Sequence, residues 1–201
     1  MKYFILACSI VMLSIQVKAQ AKPKVLGLGN IVSDAASVNQ ELGSKLGLPA
    51  IKESVNVIEI RLYSGIGFPE TQCVVLQYDK TWKATKWKLN AKDSVFKSTL
   101  KPATNIESIV KAMVASNIFS LPAQDKINSG NYTLELSTGK IKMSALTIND
   151  AACYYIQFKV GDSFREYKYC EPKQYATFYK EQHEYADFTN ILNAFAKLQL
   201  K

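Results

Sequence analysis

Residues 152–170 read ACYYIQFKVGDSFREYKYC, and this stretch decides the class of fold. Two alternating, aromatic-rich runs flank Gly161-Asp162, with Gly at the first central position that a two-residue type II′ turn prefers. Val160 then opposes Ser163, and opposed residues have numbers that sum to 323, which is also the sum of 153 and 170. Counted outward from a hydrogen-bonded Val160–Ser163 pair, Cys153 and Cys170 fall in a non-hydrogen-bonded pair. The Cα atoms of such a pair lie ~4.5 Å apart, at the near edge of what a disulfide spans. The same register puts Tyr154, Ile156, Phe158, Val160, Tyr167 and Tyr169 on one face, and sets Tyr155 beside Lys168 and Gln157 beside Glu166 on the other. An oxidising compartment closes the Cys153–Cys170 bond; a reducing one leaves two thiols opposed as small hydrophobes.

Similar patterns extend in both directions. Residues 55–63 alternate, with Ile58, Ile60 and Leu62 facing one way and Glu59 and Arg61 the other, which predicts a half-buried strand. Two more strands are predicted at 72–78 and 81–89, around Asp79-Lys80. Ile106, Ile109, Val110, Met113 and Val114 recur at helical spacing over 106–117, before Leu121-Pro122. The turn-rich Asn128-Ser129-Gly130-Asn131 precedes strands predicted at 132–136 and 141–148. Pro172 suits the first turn of a helix that turns Tyr175, Phe178 and Tyr179 one way. Asp187 is placed to cap a last helix carrying Phe188, Ile191, Leu192, Phe195 and Leu198. Strands in runs separated by helices predict an α+β fold, a mainly antiparallel sheet with helices packed on one face. Strand–strand–helix order over 72–121 and again over 152–200 leaves open a pair of related halves.

The chain has 201 residues, 48% of them hydrophobic, 11% aromatic and 21% charged. That length holds one core and excludes a large multidomain enzyme, and the apolar content excludes disorder. Residues 1–19 read as a signal peptide: Lys2, an apolar run from Tyr3 to Ile15, then Val17-Lys18-Ala19 before cleavage after 19 or 21. The run is too short for a membrane anchor, and Cys8 has too little apolar sequence before it for a lipoprotein signal. The leader carries Lys2 and Lys18 and no acid, so its removal lowers the net charge from +8 to +6. Residues 20–54 are a basic arm and a short helix, with Ser33 or Asp34 as cap, Ala35, Val38, Leu42 and Leu46 on one face, and Gly47 as stop. Residues 55–201 form a single α+β domain. Gly27-Leu28-Gly29 lacks the third glycine and preceding strand of a dinucleotide loop.

Chemistry-bearing motifs are scarce. His183 has no companion of metal-ligand spacing, and no CxxC, HExxH, GxSxG or Walker loop occurs, so neither a metal nor a cofactor is predicted. Cys73 begins the apolar run Cys73-Val74-Val75-Leu76 and reads as a buried thiol; a Cys73–His183 nucleophile pair has no local signature. Glu59, Glu70, Asp125 and Glu135 fit the polar sides of strands and turns, and no catalytic residue is assigned. The most distinctive composition is Lys80-Thr81-Trp82-Lys83-Ala84-Thr85-Lys86-Trp87-Lys88, where cations interleave with tryptophans. Trp82, Lys83, Lys86, Trp87 and Lys88 are the candidate binding residues, for an anionic polymer held by charge and stacking. Trp82 and Trp87 differ in parity, so either a bulge or one exposed Trp is predicted. Export argues against nucleic acid as the ligand. Asn131-Tyr132-Thr133 matches an N-glycosylation acceptor by letters alone.

Lys18-Ala19-Gln20, the phrase Ile60-Arg61-Leu62-Tyr63-Ser64-Gly65, and Ile118-Phe119-Ser120-Leu121-Pro122-Ala123-Gln124-Asp125 together resemble exported proteins of Bacteroidota-type Gram-negative bacteria. The resemblance spans roughly residues 55–198 and implies export to the periplasm or beyond; it brings no activity and no site residue with it. The function expected is therefore an exported, non-catalytic binding domain for a protein or an envelope polymer. The alternatives are a small extracytoplasmic hydrolase using Asp or Glu, and a structural envelope subunit joined through its sheet edge. Oligomeric state is open.

Overall fold

The computed structural model describes residues 36–66, 68–127, 130–149 and 151–199, with side chains from residue 41 onward and omitting those of 131–133. The leader, the basic arm, the Gly27-Leu28-Gly29 motif, the Ser33 and Asp34 caps, Ala35, Val38 as a helix-face residue, and the acceptor Asn131 side chain lie outside the described residues. In chain order the elements are α1 (Ala36–Lys45), a 3-10 turn (Ile51–Glu53), β1 (Ile58–Ser64), β2 (Glu70–Asp79), β3 (Thr81–Asn90), β4 (Val95–Thr99) and α2 (Ile106–Ala115). A second 3-10 turn (Gln124–Lys126) leads to β5 (Asn131–Glu135), β6 (Lys140–Ser144), β7 (Cys153–Val160), β8 (Ser163–Cys170), α3 (Pro172–Phe178) and α4 (His183–Lys197).

Six strands form one antiparallel sheet in the order β4-β3-β2-β1-β7-β8, and β5 and β6 form a separate two-stranded sheet. The fold is α+β. β1 lies in the middle, with the β2–β3 hairpin on one side and the β7–β8 hairpin on the other. Each hairpin is followed by helix, α2 after the first and α3 with α4 after the second, but the first half also adds β4.

The β7–β8 register runs from Val160↔Ser163 to Cys153↔Cys170. Gly161 has φ 58°, whereas Asp162 has no positive φ, as a type II′ turn requires. The cysteines are disulfide-bonded with Cα atoms 4.0 Å apart. The backbone bond from Glu171 N to Ala152 O just outside them confirms that their own pair is of the non-hydrogen-bonded kind.

One sheet face carries Ile60, Leu62, Val74, Leu76, Ala84, Ile156, Phe158, Tyr167 and Tyr169 against Ile109, Met113, Phe188, Ile191 and Phe195 of α2 and α4. Tyr169 stacks on Phe188 with ring centroids 4.1 Å apart. α2 begins at Asn105, whose side chain accepts from Glu107 N at 2.9 Å. It ends with Asn117 at φ 58° and bonds from Ile118 N to Met113 O and Asn117 N to Val114 O, a Schellman motif with Asn in the glycine position. α1 ends in the same way, with Gly47 bonded to Ser44 O and Leu48 N to Gly43 O.

Several sequence expectations are corrected. β1 is buried on both faces, with Glu59 and Arg61 each 1% exposed, because the segment after α1 folds over their side of the sheet. There Leu46, Tyr63, Cys73, Val75, Leu89 and Tyr155 form a second core, with Leu42, Leu48 and Trp87 packed against it. The β2–β3 register is unbroken from Glu70↔Asn90 to Asp79↔Thr81, so no bulge forms, and neither Trp is exposed: each is half-buried on its own covered face. β4 was not predicted, since all five of its residues are exposed and leave no alternating pattern. β6 stops at Ser144 rather than 148 because the chain turns to α3, where Leu146 N donates to Tyr179 Oη and Tyr175 Oη donates to Leu146 O. α4 begins at His183, and Asp187, inside it, accepts from Asn117 Nδ2 at 2.8 Å instead of capping. Val114 and Phe178, expected on the shared apolar helix faces, are 46% and 39% exposed.

Candidate functional site

The tip of the β2–β3 hairpin overhangs the start of α2. Lys80 takes φ 65° at the tip, and Tyr78 and Trp82 oppose each other across it with ring centroids 5.2 Å apart and planes at 48°. Leu100 N donates to Ala84 O, which carries the β4 strand's end back beside Trp82 and sets residues 101–105 as the facing wall. Between them lies an open groove of about 650 Å³ lined by Tyr78, Lys80, Trp82, Lys101, Pro102 and Ile106, among others. Lys80 and Lys101 are exposed at its rim, and Trp82 is half-buried with its inner edge against the main core.

The α2 N-terminus that meets the groove is already capped by Asn105. Glu107, the acid in the lining, is bound to Lys111 at 2.9 Å. The groove therefore offers an aromatic and apolar floor between ammonium groups, without a pair of facing carboxylates, a histidine or a thiol among its lining residues. Such a surface stacks on planar or saturated rings and attracts negative charge.

Of the five residues singled out in the tract, Trp82 reaches this groove. Lys86 and Lys88 share its face but sit toward the far end of β3, Lys88 being roughly 20 Å from Trp82 at ~3.3 Å per residue. Lys86 donates to Gln199 Oε1 at 2.6 Å, and burial together with Lys88 pushes its ammonium below the ordinary value. Lys88 pairs with Glu70 at 2.9 Å. Lys83 and Trp87 face the opposite side, where Trp87 packs on the second core and Lys97 Nζ lies 4.6 Å from its ring centroid. The tract is thus split between two faces. Tyr78, Lys101 and Pro102 were missed: a turn at Asp79-Lys80 sets Tyr78 opposite Thr81, whereas the observed register pairs Asp79 with Thr81 and Tyr78 with Trp82, and the other two arrive only through β4.

A second polar centre lies beneath the segment 46–56. Glu59 Oε1 accepts from Arg61 Nε at 2.6 Å and is 2.5 Å from Arg61 Nη2, while Oε2 accepts from Ser54 Oγ at 2.5 Å, Asn56 Nδ2 at 2.6 Å and Gln77 Nε2 at 3.2 Å. Arg61 Nη1 donates to Pro49 O at 2.8 Å, and Lys159 Nζ donates to Ser54 O. Burial acts to raise the Glu59 carboxyl, but Arg61 and the donated hydrogen bonds outweigh it and hold the carboxyl below its ordinary value. Through Ser54 and Asn56 on Glu59 and Pro49 on Arg61, the centre ties the covering segment to the sheet.

The remaining candidates separate in space. Glu70 pairs with Lys88, Asp125 with Lys126 and Glu135 with Lys142, in three different parts of the molecule. Cys73 is fully buried in the second core, and burial pushes its thiol up to about 12. His183 opens α4, on the other side of the sheet, with its side chain 77% exposed, so the two do not form a nucleophile pair. Among the described residues no group of three or more His, Cys, Asp or Glu side chains is arranged to hold a metal ion, and no helix is long and apolar enough to cross a membrane. Comparison with protein-family models, curated proteins and solved structures returned no match.

Proposed function

We propose that this chain is an exported, non-catalytic binding domain whose groove at the β2–β3 tip takes an anionic glycan of the cell envelope. The observation that carries this is the Tyr78–Trp82 ring pair at the floor of an open groove rimmed by Lys80 and Lys101. Sugar rings stack on such aromatic faces, and carboxylate or phosphate substituents are drawn to the two ammonium groups. An open groove suits a segment of a long polymer, which must enter and leave sideways. The leader-like residues 1–19 and the Cys153–Cys170 bond support an oxidising, extracytoplasmic setting.

The test is calorimetric titration of residues 20–201 with soluble peptidoglycan fragments, whose peptide carboxylates supply the negative charge. Trp82→Ala should weaken binding roughly 10-fold or more, the usual cost of removing one stacking ring. Lys80→Gln with Lys101→Gln should weaken it and flatten its dependence on salt. Binding by Trp82→Ala equal to that of the parent chain would move the site elsewhere.

A further inference from the structure

The β5–β6 hairpin stands apart from the main sheet as a two-stranded sheet of its own. Its register, with Leu134↔Ile141 and Tyr132↔Met143, puts Leu134, Ile141 and Met143 on one face. These side chains are 58%, 72% and 62% exposed, and Leu136 at the start of the turn is 89% exposed. The opposite face carries Glu135, Lys140 and Lys142, with Lys142 Nζ bonded to Glu135 Oε1 at 2.7 Å. A two-stranded hairpin on its own is at best marginally stable in water, and one with a bare apolar face is stabilised when that face is covered.

We propose that this face joins two copies of the chain, hairpin against hairpin about a two-fold axis. The four side chains expose on the order of 400 Å² per copy, so about 800 Å² is covered when two such faces meet. That area lies below the ~1,200 Å² of stable specific interfaces, in the range of weak and transient contacts, which fits a reversible dimer and not an obligate one. Two identical apolar sheet faces are self-complementary under two-fold symmetry, and they stack at the usual sheet-to-sheet distance with the charged faces outward. A lipid surface fits less well. The turn residues Ser137 and Thr138 are polar, so insertion of the tip is not assisted.

Sedimentation velocity of residues 20–201 over roughly 5 to 300 µM tests the proposal, a span suited to an interface of this size. The parent chain should shift from monomer toward dimer with concentration, and Leu134→Lys with Ile141→Lys should remain monomeric at every concentration. Near-ultraviolet circular dichroism establishes that this variant keeps the main core. Should it fail to fold, Ile141→Cys decides instead: oxidation should give a covalent dimer, while the buried Cys73 of the parent chain gives none. A parent chain that stays monomeric throughout, or a dimer untouched by the double substitution, overturns the proposal. So does binding to phosphatidylglycerol–phosphatidylethanolamine vesicles that is lost in the double variant while the parent chain is monomeric, which would make the face a membrane contact.

Discussion

Replacing Arg61 by Met isolates the contribution of the buried ion pair to the fold. The substitution removes the hydrogen bond from Nε to Glu59 Oε1 at 2.6 Å, the Nη2 ion-pair contact with the same oxygen at 2.5 Å and the donor to Pro49 O, while Glu59 stays 2% exposed at its side chain. Breaking a buried pair by deleting one partner costs about 3–5 kcal/mol, because the surviving charge is left desolvated and uncompensated. At a urea slope of ~2 kcal/mol/M this is a midpoint lowered by roughly 2 M. Because Arg61 bonds the chain at Pro49, the loss should also loosen the cover over Cys73, and the buried thiol should react with a thiol reagent well before global unfolding. Glu59→Met with Arg61→Met should cost less than the two single substitutions added together, with a coupling of about 1–3 kcal/mol. Acid should mimic the effect. The folded-state pKa of Glu59 lies below its ordinary value of 4.5, so its contribution is complete above that value and is lost as the pH falls through the folded-state pKa. Urea titration at pH 7 and at pH 3, with thiol labelling in parallel, measures each of these. A loss below about 1 kcal/mol for Arg61→Met, with Cys73 still protected, would refute the idea that the pair clamps the covering segment.

Two further substitutions probe the sheet. Cys153→Ala with Cys170→Ala opens a bridge with a sequence separation of 17, and the loop-entropy relation places the loss near ~3 kcal/mol; reduction of the parent chain should reproduce it in the same melt, and an unchanged melting temperature would contradict it. Gly65→Ala should cost about 1–3 kcal/mol, since Gly65 has φ 72° and an added Cβ would lie 2.3 Å from the Glu70 carbonyl oxygen; an Ala variant as stable as the parent would show that the β1–β2 connection shifts freely.

Local rules made the β7–β8 hairpin legible, because a two-residue turn fixes register and register alone brings Cys153 and Cys170 together. The α2 core positions Ile109, Val110 and Met113 were legible for the same reason, a period that a single element imposes on itself. The second core was not. Glu59 and Arg61 alternate with Ile58, Ile60 and Leu62 as residues on a solvated face do, and nothing local distinguishes water from the folded-back segment 46–56. The partner of Arg61 at Pro49 is a backbone carbonyl, which carries no side-chain signal. β4 was invisible because an exposed edge strand buries nothing in alternation. This also hid half of the groove: composition pointed to Trp82, but Lys101 and Pro102 reach it only because β4 returns the chain beside Ala84. The tryptophan and lysine tract looked like one patch because a linear string does not show that β3 is covered on both faces.

The groove is tested most directly by making Trp82 the sole reporter. The chain has two tryptophans, so Trp87→Phe leaves Trp82 alone to fluoresce. Titration of that variant with soluble peptidoglycan fragments should change Trp82 emission saturably, less so in high salt, and only at higher fragment concentration once Lys80 and Lys101 are both replaced by Gln. Fragments that bind, as heats of titration would show, while Trp82 emission stays constant would contradict the assignment, and so would the absence of any binding.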